Sequence, residues 1–186
     1  MSGKLCLSVT KTWSSHTPSE TTNPRFVPRS LSTSSWEWRK LRQEVLDRDN
    51  YSCRFCGFRS SKYMICDHIN GRSDDNSMDN LGINCKLCDA VRHCGRAGIY
   101  KILCLGISNM EQVDIVRATY DFYDKNNRVP IPQEVDKDVE IVEQTTVKFA
   151  NKLLHDPEAD VTKYKGFFTE EALEMLQNMH QNKYMD

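Results

Sequence analysis

Four cysteines of this chain fall into two pairs with the same spacing, Cys53 with Cys56 and Cys85 with Cys88. A Cys-x-x-Cys turn presents both sulfurs on one side of a tight loop, and thiolates bind Zn2+ tetrahedrally. Two such turns supply four ligands and leave no open position, which is the pattern of a structural zinc site. Gly57, directly after the first pair, suits the backbone turn such a knuckle needs. Zinc bound there would contribute folding free energy directly. Four unrelated buried thiols would require coincidence in both spacings. A redox dithiol is disfavoured because two pairs make one closed site.

Other reactive residue types lie between and just after the pairs. Asp67-His68 sits in the run YMICDHI, Asn80 follows a polar loop, and Asp89 comes directly after the last knuckle cysteine. His93 lies one helical turn beyond Asp89, on the same face. An imidazole beside a carboxylate, on a strand facing a short helix, is a base-plus-metal arrangement. Arg72, Lys86 and Arg92 are nearby candidates for contacts to phosphate.

The elements that must position these residues can be read from patterning. Ser34 or Ser35 can cap a helix over 36–48, with Trp38, Leu41, Val45 and Leu46 facing the core. DRDNYS then breaks that helix and turns into the first knuckle. A strand is expected over 63–69, turns over 70–77 and a short helix over 89–95. Upstream, 4–13 alternates as a strand, and 14–35 reads as a Ser/Thr/Pro-rich arm carrying Arg25 and Arg29. Downstream, a strand over 99–106 and helices over 108–124 and 136–154 are expected. HDPEADVTKYKG reads as loop, and a last helix begins after Thr169. Cys6, Cys66 and Cys104 are expected to be core residues on strands, whereas Cys94 lies close to the second knuckle.

The order of these pieces resembles the HNH endonuclease family. The segments are VLDRDNYSCRFCG, ICDHI, DNLGINC and KLCD, and the match spans residues 36 to about 95. The resemblance implies a ββα core around a divalent cation. In it His68 would be the general base, Asp67 a metal ligand, and Asn80 the residue that fixes the loop and orients His68. The chain departs from the family at Asp89, where His or Asn is usual. Aspartate is a competent ligand for Mg2+ or Mn2+, so Asp67 and Asp89, with His93, form the expected second metal set. A weaker similarity, resting on element order and RDNYSCRFCGF, is to the HNH-like DotN/IcmJ subunit of the Dot/Icm type IVB coupling complex. It implies protein assembly instead of cleavage. A third reading is a zinc-dependent nucleic-acid binding module that presents Trp36, Trp38 and Tyr51.

The expected fold is therefore α+β: a zinc-stapled ββα-metal (HNH-like) core with added strands and a carboxy-terminal helical lobe. Its divisions would be 1–35, 36–98 and 99–186. Charge is asymmetric along the chain. Residues 107–186 hold 9 Lys and Arg against 16 Asp and Glu, which leaves 16 against 10 for residues 1–106. A basic front half suits DNA, and an acidic back half suits a protein partner. No apolar run approaches the length of a membrane helix, and the amino-terminal residues lack a continuous apolar leader. The cytoplasm is the expected compartment, with the nucleus also open to the protein. There the cysteines would be thiols or metal ligands, not disulfides.

Overall fold

The computed structural model describes residues 4–8, 31–156 and 160–184. Helix α1, Trp36–Arg48, has the expected span and cap, with Ser35 Oγ accepting from the Trp38 backbone N–H at 3.1 Å. Trp38, Val45 and Leu46 are buried, and Leu41 packs against them from a half-buried position. Asn50 and Tyr51 both take left-handed backbone conformations, which reverses the chain into the first cysteine pair.

Strands β1, Ile65–His68, and β2, Leu81–Asn84, form an antiparallel hairpin pairing Asp67 with Gly82 and His68 with Leu81. Helix α1 holds both arms of it. Arg42 donates to the Met64 carbonyl at 2.7 Å, and Arg48 donates to those of Met78 and Leu81 at 2.6 and 2.7 Å. Helix α2, Lys86–Arg92, follows β2 at once, and α3, Cys94–Ile99, follows α2. The helix expected to open at Asp89 thus starts three residues earlier. Cys85 is its N-cap, with Sγ accepting from the Cys88 N–H at 3.4 Å.

The second sheet is antiparallel and has the order β4–β3–β5, where β3 is Leu103–Ile107, β4 is Glu140–Glu143 and β5 is Tyr164–Phe168. Helices α4, Gln112–Asn126, α5, Pro132–Val135, α6, Val147–His155, and α7, Leu173–His180, complete the chain. The carboxy-terminal region is therefore mixed, not helical throughout. Three expectations fail here for identifiable reasons. Residues 99–101 are not strand: α3 runs to Ile99, and Ile99 and Tyr100 are solvent-exposed. Part of 136–154 is β4, whose residues alternate between exposed and half-buried, a period of two. The supposed loop before Thr169 contains most of β5, whose residues from Lys165 on are buried against β3.

Two smaller corrections concern the ends of elements. The helix expected from 108 opens only after Glu111, and Ser108 lies before it, its Oγ accepting from the Met110 N–H at 3.0 Å and pairing with Asp136. Residues 4–8 form no strand. Leu5 and Leu7 are buried, but Ser8 exchanges backbone hydrogen bonds with Val91 and Cys94, at the junction of α2 and α3. Cys6 is exposed, not core. The remainder of the expected first strand and most of the basic arm, including Arg25 and Arg29, lie outside the described residues. Among the described residues no helix is long and apolar enough to cross a membrane.

Two long-range contacts frame the cysteine region. Ser60 bridges to Lys183, and Ser61 N–H donates to the Asn182 carbonyl at 2.9 Å. Helix α3 packs against α6 through Gly98, where an added Cβ would lie 2.7 Å from Thr146 Oγ1 and 2.8 Å from the Val147 backbone nitrogen. Both neighbours belong to a helix start that has no room to retreat. Gly98→Ala should destabilise the fold by about 1–3 kcal/mol, the usual cost of overpacking. Urea denaturation measures this, and an unchanged midpoint would contradict the packing described.

Candidate metal centres

The two cysteine turns meet. Cys53, Cys56, Cys85 and Cys88 each offer a sulfur within 4.8 Å of the others, and the Cys56 and Cys85 sulfurs are 3.6 Å apart. Zn–S bonds of about 2.3 Å in a tetrahedron give S···S edges of about 3.8 Å, so the four cysteines are placed to hold a metal ion such as zinc. The first turn is closed by Gly57 N–H donating to the Cys53 carbonyl and Cys53 N–H to that of Phe58, both at 2.9 Å. Gly57 has positive φ, as the knuckle requires.

Electrostatics point the same way. Hydrogen bonds from Cys56, then Cys85 and Cys88, hold the Cys53 thiol far below its ordinary range. Burial, then hydrogen bonding with Cys53, pushes Cys85 up, and hydrogen bonding with Cys53 pushes Cys88 up. Sulfurs crowded this closely oppose one another's ionisation. A dication lets all of them ionise. The other cysteines differ. Burial pushes Cys66 up to about 11 and Cys94 up to about 12. Cys94 stands apart from the ligand set.

A second cluster lies between β1 and α2. Asp67, Asp89 and His93 each bring one ligand atom within 4.8 Å of the others. His93 Nε2 is 3.7 Å from Asp67 Oδ1 and 3.5 Å from Asp89 Oδ1. The second oxygen of each carboxylate is held from outside the cluster. Asp67 Oδ2 accepts from Arg92 Nε at 2.7 Å and Asn84 Nδ2 at 3.1 Å, and Asp89 Oδ2 accepts from Arg96 Nη2 at 3.1 Å. Both Oδ1 atoms are thus turned toward His93 by fixed partners, the arrangement that orients metal-binding side chains.

The two carboxylates are not equivalent. Burial raises Asp67, but the His93 hydrogen bond and the Arg92, His93 and Arg54 charges outweigh it, leaving a pKa below the usual carboxylate value. Asp89, only 3% exposed, is pushed up by burial and by the Asp67 charge, and the His93, Arg96 and Arg92 charges do not fully compensate. The signs for stability follow. Asp67 contributes stability above its unfolded pKa that is lost as pH falls through its lower folded value. Asp89 costs stability as pH rises from its unfolded pKa through its higher folded one. In metal-free buffer at neutral pH, Asp89→Asn should therefore be neutral to stabilising, because the partner it leaves, Arg96, is largely solvent-exposed. Thermal melts without and with Mn2+ check this, because Mn2+ should raise the midpoint of the natural protein but not of Asp89→Asn. Equal metal stabilisation in both would remove Asp89 from the ligand set.

His68 leaves β1 on the other side. Its ring stacks on Trp38 of α1 at 5.6 Å and 24°, and its Nε2 is 3.1 Å from Asn76 Oδ1. An amide oxygen only accepts, so Nε2 is the donor of this contact, and in the neutral ring that leaves Nδ1 with the lone pair. Asn80 is buried. Its Oδ1 accepts from the Asn70 N–H at 3.0 Å and its Nδ2 donates to the Asp75 carbonyl at 2.7 Å, clamping the loop that carries Asn76. Of the candidate phosphate contacts, Arg92 bonds Asp67 and the His68 carbonyl, Arg72 pairs with Asp74, and Lys86 lies 4.6 Å over the Tyr63 ring.

Sequence reasoning missed Asn84, Arg54, Arg96 and Asn76. Asn84 is fully buried between Asp67 and Arg54, to whose Nε its Oδ1 is bonded at 3.1 Å. The usable signal was Asn at the inward end of an otherwise apolar strand. Arg54 lay unnoticed inside the first knuckle. Cβ of a residue replacing Gly82 would come within 2.9 Å of the Arg54 side chain, so Gly82 leaves room for it. No protein-family model matches the sequence, and no curated protein matches it.

Proposed function

We propose that the chain is an HNH-type, divalent-metal-dependent nuclease that hydrolyses phosphodiester bonds in DNA. The observation that carries this reading is the convergence of Asp67 and Asp89 Oδ1 with His93 Nε2, with each carboxylate's other oxygen tied back by arginine or asparagine. Such a set suits Mg2+ or Mn2+, which when bound would stabilise charge on the scissile phosphate and the leaving oxygen. His68 is the base. Its protonated Nε2 is anchored on Asn76, leaving Nδ1 to take a proton from water. Asn80 holds the loop that provides this anchor. The cysteine site closes the base of the same hairpin and takes no part in chemistry.

A second reading is a non-catalytic HNH-like zinc protein that works as an adaptor in a protein complex. It is favoured by the arginines: Arg92 and Arg96 already neutralise the two carboxylates, and the Arg92–Asp67 pair is well buried. Plasmid nicking in Mg2+ or Mn2+ separates the two. Metal-dependent nicking supports the nuclease. Its absence in protein that carries zinc and is folded, together with a partner retained by residues 107–186, supports the adaptor. Salt-sensitive DNA binding without cleavage would point to a binding module.

A further inference from the structure

Helix α4 belongs to the acidic half of the chain, yet one of its faces lies on the cysteine site. Tyr120 is 5% exposed, and its ring stacks on Phe58, two residues past Cys56, at 4.2 Å and 17°. Its hydroxyl is buried and makes no hydrogen bond of normal geometry among the described residues. An unsatisfied buried hydroxyl is costly, and native structures keep few of them. The Cys85 side chain is within interaction distance of this hydroxyl, without a hydrogen bond of normal geometry. Three residues earlier on the helix, Arg117 Nε donates to the Cys56 carbonyl at 3.4 Å. Residues at i and i+3 share a helix face, so α4 addresses the knuckle at two points.

We propose that the Tyr120 hydroxyl donates a hydrogen bond to the metal-bound thiolate of Cys85, which makes α4 a positioning element of the zinc site. The acceptor is what the metal-free arrangement lacks. A buried Cys85 thiol is a weak acceptor, whereas a thiolate held on a cation keeps both lone pairs and residual negative charge. The bond satisfies the orphaned phenol and fixes the sulfur's orientation. It also ties metal occupancy to the seating of the carboxy-terminal region, which the Cys-x-x-Cys spacing alone does not imply. The inference is independent of whether the protein cuts DNA.

Tyr120→Phe tests it, because the ring and its stacking on Phe58 remain and only the oxygen is lost. Zinc affinity, measured by competition with a chromophoric chelator, should fall about 10- to 100-fold, as when an outer partner of a metal ligand is removed. In the Co2+-substituted protein the thiolate-to-cobalt absorption band should shift. A fluorinated tyrosine at position 120, a stronger donor, should shift that band in the opposite direction. The chelator-treated forms should not favour the natural protein, since there the hydroxyl has no acceptor. Zinc affinity within twofold of the natural protein, with an unmoved cobalt band in both variants, would overturn the proposal. Should Tyr120→Phe fail to fold, an unmoved band in the fluorinated protein alone would overturn it.

Discussion

Replacing Cys85 by serine, or stripping the metal with a chelator, should abolish cooperative folding. Cys85 is fully buried, supplies one of four converging sulfurs and caps α2. Structural zinc sites bind with about 10–16 kcal/mol at neutral pH, comparable to or larger than the whole stability of an ordinary domain, about 5–15 kcal/mol. Losing one ligand therefore removes more than the fold can spare. The natural protein should contain one zinc per chain by elemental analysis and melt in a single transition, while Cys85→Ser should contain little zinc and show no transition. Cys66→Ser is the control, since Cys66 lies outside the ligand set, and it should keep its zinc. A cooperative, zinc-free Cys85→Ser protein with an unchanged midpoint would falsify the structural role given to the cluster.

The next largest effect is expected at His68. If Nδ1 of this ring accepts the proton of the attacking water, His68→Ala should slow metal-dependent plasmid cleavage by about 10²- to 10⁴-fold. That corresponds to about 3–5 kcal/mol of activation free energy. The substitution also removes the stacking on Trp38, so folding must be monitored in parallel. Mn2+ binding should be unaffected, because the ligand set is Asp67, Asp89 and His93. That separation of binding from rate is what a base, as opposed to a ligand, must show. Asn76→Ala frees Nε2 and should give a smaller loss through misorientation of the ring. Cleavage that continues at the natural rate in His68→Ala would leave the site without the base assigned to it.

Much of the site was legible because its signals are local. Cysteine spacing fixes the two turns, and the i, i+4 spacing of Asp89 and His93 puts them on one helix face. Helix α1 carries its own cap and apolar stripe, and its span agrees with the structure. What was not legible depends on partners distant in sequence. Asn84 matters only because Asp67 and Arg54 reach it from other segments. Tyr120 lies within the span expected to be helical, and nothing local to it reveals the cysteines across the interface. Strand β4 is four residues long and half exposed, so Val139 and Val142 mimic helical spacing. Strand β5 was hidden by its polar flank, HDPEADVTK, although KGFF is buried once β3 is beside it.

The pairing of Ser60 and Ser61 with Asn182 and Lys183 carries a consequence for biosynthesis. The hydroxyl of Ser60 donates to a carbonyl 122 positions further along. During translation at about 5–20 residues per second, the nascent knuckle can collect its metal well before that distant backbone leaves the ribosome. A hairpin that took up an ion at that stage would have one flank open until the last residues emerged. A premature stop upstream of α7 would release a chain with that flank bare.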